Sequence, residues 1–316
     1  MGQGLHTNIT AIAARELGIR PEHVRVMPTS TDKIPNTSAT AASCGTDLNW
    51  AAVKNACEIL RARLAPVASR LLKQRLGRAP ASNKLVFAGG LVCDRRRPQA
   101  NVTFAEVVRQ AYMERISLSA TGYYATPGID WDRAAGRGKP FHYFTCGASV
   151  SEVEVDGFTG MTRVLRADIL HDVGDSINEA VNRGQVEGGF VQGMGWLTTE
   201  ELKWDDEGRL LTHSPDTYKI PAVGDMPQVF NVTLLKNAAQ KEVVYGSKAV
   251  GEPPFMLAIS VREAIRDAVA AFGPPGSEVP LPLPATCEAI FMAIQGQRRK
   301  SQAMQPSLPS EVLVGQ

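Results

Sequence analysis

The sequence has no long apolar run. No stretch approaches the roughly 18 consecutive apolar residues that a membrane-spanning helix needs. Met1 to His6 is not a basic stretch leading into an apolar one, so it does not read as a secretory signal. Charge of one sign is also missing. Lys plus Arg number 34 and Asp plus Glu 32, for a net charge of +2. Such a balance gives no global field to hold nucleic acid or an anionic membrane. Cysteine is scarce: Cys44, Cys57, Cys93, Cys146 and Cys287 are an odd set without a C-x-x-C pair. That argues against a disulfide framework, a zinc site or an iron–sulfur site within this chain. Reduced thiols in a cytoplasmic protein are the expectation. No repeat or low-complexity bias replaces these features, and 44% hydrophobic with 21% charged residues excludes a collagen or a disordered acidic chain.

What is present is enough for about two domains at roughly 150 residues each, or two tightly joined subdomains. Met1 is followed at once by Gly2-Gln3-Gly4, with no strand before this turn. The expectation is a C-terminal piece of a larger protein or one product of a split gene. Asn8 to Leu17 predicts a short helix with Ile9, Ile12, Ala13 and Leu17 on one face. The preceding glycines fit either a plain turn capped at Thr7 or Asn8, or a close backbone approach to an anionic ligand. Val24 to Met27 predicts a strand. The loop from Pro28 to Gly45 is long and rich in Ser, Thr, Asn and Ala. It reads equally as a flexible surface loop or as a wrap around a polar ligand.

A long amphipathic helix is expected over 47–73, bent at Pro66, and residues 74–101 read as basic and irregular. Arg95-Arg96-Arg97 is most simply a solvated loop. Thr103 and Glu106 form a capping-box signature before another helix. Residues 148–156 and 164–170 alternate around Asp156-Gly157 and Thr159-Gly160, which predicts a hairpin. In the helix predicted over 176–195, Gln185, Gly188, Gly189 and Gln192 fall at i, i+3, i+4 and i+7. Glycine costs a helix about 1 kcal/mol relative to alanine. Such a face suits either helix packing through small residues or the close approach of a ligand.

Lys248-Ala249-Val250-Gly251-Glu252-Pro253-Pro254 precedes a helix carrying Leu257, Val261, Ile265, Val269 and Phe272. The prolines stiffen the corner at Glu252. In an apolar setting (Val250, Phe255, Met256) its carboxyl should have a raised pKa and could act as a general base. A plain carboxylate at a helix start is the other reading. Strands and helices are mixed without a β-α-β alternation, and no G-x-G-x-x-G follows a strand, which predicts an α+β fold. Residues 296–316 are expected to be a disordered tail.

Seven strings, GQGLHT (2–7), PNTSATAAS (35–43), SLSATGYY (117–124), GKPFHYF (138–144), GQVEGGFVQGMG (184–195), TYKIPA (217–222) and SKAVGEPP (247–254), occur in this order. Together they resemble the C-terminal molybdenum-binding region of the xanthine oxidase family of molybdenum hydroxylases, over residues 1–295, which implies two interleaved subdomains there. SKAVGEPP resembles the xanthine dehydrogenase branch. The resemblance implies that Glu252 is the catalytic base, beside the metal. It implies that Gln3 and Gln185 hydrogen-bond the pyranopterin of a molybdenum–molybdopterin cofactor, with an amide suited to a pterin edge that both donates and accepts. Gly2 and Gly4, with Thr40, Ala41, Ala42 and Ser43, become further cofactor contacts, the Ala42 backbone lying near the metal. The departure is Cys44-Gly45, which puts side-chain contacts there in question.

The implied reaction hydroxylates hypoxanthine and xanthine to urate with oxygen from water. The implied partners are an upstream molybdenum domain carrying the purine clamp, and domains with [2Fe–2S] clusters and FAD that this chain does not bind. NAD is the implied acceptor and a dimer of heterodimers the implied assembly. A sister enzyme acting on aldehydes or other heterocycles, and a fragment incompetent without its upstream domain, are the alternatives.

Overall fold

The computed structural model describes residues 4–33 and 43–304. They fall into two interleaved compact units: residues 1–145, 173–182 and 236–249 form the first, and 146–172, 183–235 and 250–316 the second.

In the first unit, α1 (Leu5–Leu17) starts after Gly4 (φ 66°), three residues ahead of the predicted Asn8 start, with no side-chain cap. Ile12 is fully buried and packs in a cluster with Trp50 and Val244. Val24 to Met27 forms no strand, because no neighbouring strand among the described residues offers it a ladder. The long helix α2 runs Cys44–Leu76 and passes through Pro66 without ending. Its C-terminal half buries Leu64, Val67, Ala68 and Leu72 against Leu85, Phe87, Val92 and Val102.

Those partners sit on three strands, β1 (Leu85–Ala88), β2 (Leu91–Asp94) and β3 (Arg97–Thr103), where the sequence reading expected an irregular segment. The strands are too short for a visible alternation. Their clearest signal is Gly89-Gly90, both with positive φ (60° and 77°), as a two-residue hairpin turn requires. The helix α3 (Phe104–Met113) begins at the predicted capping box: the Thr103 hydroxyl accepts from the Glu106 N–H, and the Glu106 carboxylate accepts from the Thr103 N–H. Strands β4 (Asp130–Asp132) and β5 (Arg137–Lys139) make a small exposed hairpin.

The second unit is built on the predicted hairpin. Strands β6 (Gly147–Val155) and β7 (Thr162–His171) pair antiparallel, and β8 (Val229–Leu234) joins β7 in parallel. The helix α4 (Glu179–Thr198) begins in the first unit and enters the second at Arg183, where it buries Val186, Phe190, Met194 and Leu197. Phe190 meets the Phe230 ring of β8 at 5.4 Å. The helix α5 (Ile259–Ala270) buries Val261, Ile265 and Val269, three of the predicted stripe, and packs on β6 and on the last helix, α6 (Cys287–Ala303).

The helix α6 corrects the expected tail. Residues 296–303 are helical because Gln297 is fully buried, its amide donating to the Glu278 carbonyl at 2.7 Å and accepting from Ser277. The rest of that expectation, 305–316, lies outside the described residues. The mixture of a mixed sheet, antiparallel sheets and packed helices is α+β, as expected.

Candidate active site

Within the second unit, α4 and the corner at Glu252 are locked together by glycine. A Cβ built on Gly193 would lie 2.2 Å from the Phe255 carbonyl oxygen and 2.9 Å from the Ala258 Cβ. One built on Gly189 would lie 3.1 Å from the Pro254 Cβ and 3.6 Å from the Gly251 oxygen. The glycines therefore let the short 3-10 helix Pro253–Ala258 lie directly on α4. Pro254 and Ala258 are buried in that contact, and Trp196 stacks on Phe255 at 5.1 Å. Glu252 caps the short helix, its carbonyl accepting from the Phe255 N–H at 3.0 Å.

Two other glycines of the same helix, Gly184 and Gly188, face open space. A Cβ on Gly188 or Gly184 would meet nothing within 4 Å. Gln185, half-buried, stands beside this bare backbone. The face thus does two jobs: Gly189 and Gly193 pack, and Gly184 and Gly188 leave a shelf next to an amide.

The Glu252 carboxylate does not sit in the apolar setting expected for it: the residue is exposed in this chain. The adjacent apolar groups turn elsewhere, Val250 into the interior and Met256 outward at 53% exposure.

In the first unit, the backbone that leads toward Glu252 is fixed at successive residues. Tyr245 holds a left-handed conformation (φ 51°), uncommon for an aromatic side chain. Its hydroxyl donates to the buried Glu16 carboxylate on α1, which also accepts from Arg61 at 2.9 Å, and Arg15 stacks on its ring at 3.7 Å. The Lys248 N–H donates to the Val173 carbonyl at 2.9 Å, and its ammonium donates to the Phe144 carbonyl at 2.9 Å. The Ala249 N–H donates at 2.8 Å to the Tyr143 hydroxyl, which itself donates to the Asp47 carboxylate on the first turn of α2. Burial holds the Asp47 carboxyl above its ordinary range, against the opposing pull of the Tyr143 hydrogen bond and the His142 charge. Ser43 is buried at the N-cap position of α2.

Residues 1–227 match the family model of the molybdopterin cofactor-binding domain. Xanthine dehydrogenase of Oryza sativa subsp. japonica is 44% identical over 303 residues, 93% of this chain and 20% of that protein. The chain belongs to the molybdenum-binding region of the xanthine oxidase family. Xanthine dehydrogenase/oxidase of Felis catus is 44% identical over 271 residues, 86% of this chain and 18% of that protein. This member of the family thus spans about a fifth of the length of the curated relatives it matches. Among solved structures, quinoline 2-oxidoreductase from Pseudomonas putida 86 aligns with a TM-score of 0.78 and 29% identity, over 94% of this chain and 36% of that one. A Cu,Mo-CO dehydrogenase shares the fold at TM-score 0.76 and 22% identity, over 94% of this chain and 35% of that one.

For a member of the xanthine oxidase family, the described residues fit a molybdopterin. Gln185 offers both a donor and an acceptor, and the Gly188 shelf beside it has room that a side chain would fill. Glu252 and Gln185 fall in one unit, with the Glu252 corner seated on the helix of Gln185. Gly4 and Ser43 belong to the first unit, at the starts of α1 and α2. Gly2, Gln3, Thr40, Ala41 and Ala42 lie outside the described residues. Asp47, Tyr143 and Tyr245 enter the site from the structure alone. The string GKPFHYF carried the signal for Tyr143, but nothing local to it pointed to Asp47, 96 residues away.

Proposed function

We propose that this chain supplies the general base and part of the cofactor wall of a xanthine dehydrogenase, oxidising hypoxanthine and xanthine to urate with oxygen from water. Support comes from relatives of that name at 44% identity and from the seating of the Glu252 corner on α4. Molybdenum–molybdopterin, when bound, supplies the oxidising centre and activates water. Gln185 holds the pterin edge through its amide, beside the Gly188 shelf. Gly2, Gln3, Gly4 and the Thr40–Ser43 segment, Ala42 included, would hold other parts of it. Glu252 takes the proton that must leave as the new carbon–oxygen bond forms, help worth about 10² to 10⁴ in rate. The prolines after it keep the carboxylate from swinging away with the backbone.

The exposure of Glu252 fits a pocket whose opposite wall belongs to the upstream molybdenum domain, which would also clamp the purine. [2Fe–2S] clusters and FAD in other domains would pass the electrons to NAD, in a dimer of heterodimers in the cytoplasm, as a step of purine catabolism. The 316-residue polypeptide alone is expected to be inactive.

The single observation that carries this reading is the glycine-mediated contact of Gly189 and Gly193 with residues 251–258. The decisive experiment is Glu252→Gln in the assembled, full-length protein. Xanthine turnover should fall at least 10²-fold with molybdenum content unchanged; near-normal turnover with a full metal load refutes the assignment. The likeness to quinoline 2-oxidoreductase supports a second reading, a sister enzyme oxidising other heterocycles or aldehydes. Rates on xanthine, quinoline and an aldehyde compared side by side decide between them.

A further inference from the structure

The first unit holds a polar relay that the proposed chemistry does not use. Its donor–acceptor chain runs from the Ala249 N–H to the Tyr143 hydroxyl and on to the Asp47 carboxylate. The two ends matter by their places in the sequence. Asp47 is on the first turn of α2, which follows directly from Ser43, and Ala249 is three residues before Glu252. The tyrosine is held from several sides. The Lys248 ammonium is 5.9 Å from its ring and bonded to the carbonyl of the next residue, Phe144. The His142 ring meets it edge-on at 5.9 Å. A hydroxyl that accepts one hydrogen bond and donates another fixes both neighbours at once, which neither phenylalanine nor a free amide would do.

We propose that Tyr143 is a positioning residue, its hydroxyl joining the start of α2, next to the cofactor-binding Ser43, to the backbone that carries Glu252. The inference rests on the assignment of Glu252 as base. The relay fixes the backbone that leads into the Glu252 corner, so its loss should blunt the chemical step more than substrate binding. A merely structural anchor would change stability and leave kcat alone.

The test uses the assembled holoenzyme with Tyr143→Phe, which keeps the ring and its stacking, and with Asp47→Ala and Asp47→Asn. For Tyr143→Phe and Asp47→Ala we expect kcat to drop roughly 10-fold at unchanged KM, an order below the 10²-fold that a 1 Å misplacement can cost. Asp47→Asn retains an acceptor for the hydroxyl and should keep most of the activity. A readout independent of turnover is amide hydrogen exchange: the Ala249 amide should exchange faster in Tyr143→Phe, with α6 unchanged. Wild-type kcat in Tyr143→Phe, or an unchanged Ala249 exchange rate, overturns the proposal. So does an Asp47→Asn variant as impaired as Asp47→Ala. Should Tyr143→Phe not fold, the two Asp47 variants decide alone. Full activity of Glu252→Gln would instead defeat the underlying assignment, whatever Tyr143→Phe does.

Discussion

The glycines of α4 make opposite predictions one turn apart. At Gly193 a methyl group would stand 2.2 Å from the Phe255 carbonyl oxygen, where ordinary contact begins at 3.4 Å. More than about 1 Å of separation must open between α4 and the short helix after Glu252, and the blocking atom is backbone, which cannot rotate aside. Overpacking of this kind costs about 1–3 kcal/mol, more than the roughly 1 kcal/mol that alanine gains in helix propensity. Gly193→Ala should therefore destabilise by up to about 2 kcal/mol net, and it should displace the Glu252 corner. At Gly188 nothing lies within 4 Å, so Gly188→Ala should strengthen the helix by up to about 1 kcal/mol. If the shelf receives a cofactor, that same methyl occupies the cofactor's place. The assay is thermal unfolding together with molybdenum and pterin content per polypeptide in the full-length protein. We expect Gly188→Ala to be no less stable before loading yet at least several-fold poorer in cofactor, and Gly193→Ala to lose stability. Full cofactor occupancy in Gly188→Ala would refute the shelf, and an unperturbed Gly193→Ala would refute the contact.

Two further outcomes follow from buried groups of the first unit. Burial first, and then the hydrogen bond to Glu16, raise the pKa of the Tyr245 hydroxyl. A neutral form favoured by folding stabilises below the unfolded value of about 10 and loses that contribution as pH rises further. Alkaline unfolding curves should show this loss, and Tyr245→Phe should flatten it while costing about 1–2 kcal/mol at neutral pH by stripping Glu16 of a donor. The Cys57 thiol, buried and pushed up to about 11, should resist alkylation at pH 8 in the native protein and react on unfolding. Rapid native labelling of Cys57 would show that the α2 packing there opens easily.

Some of this structure could be read from the sequence because the signal was local. The Thr103–Glu106 capping box needs only four residues, and the β6–β7 hairpin is long enough to alternate visibly. The α4 face was legible as unusual, but its division into packed and open glycines depends on residues 251–258, some 60 positions away. The first sheet was missed because β1 and β2 are four residues each amid basic residues, leaving Gly89-Gly90 as the main cue. Val24 to Met27 had strand-forming residues and no strand partner among the described residues. The parallel pairing of β8 with β7 was also invisible, since nothing in either strand names the other. For Glu252 the two prolines that follow it marked the start of a helix, whereas its solvation depended on where Val250 and Met256 turned.

The interleaving of the two units has a consequence for biosynthesis. The polypeptide crosses from one unit to the other five times, and the first unit waits for residues 236–249 to be complete. The first unit cannot close until residue 249 has been made, by which point most of the second has also emerged. A nascent chain stalled anywhere between residues 146 and 235 would leave both bodies without a closing segment, Tyr245 and Ala249 among the missing pieces. Chaperone dependence and sensitivity to premature termination should therefore extend across residues 1–249 of this region, with no shorter stretch of it that closes the first unit alone.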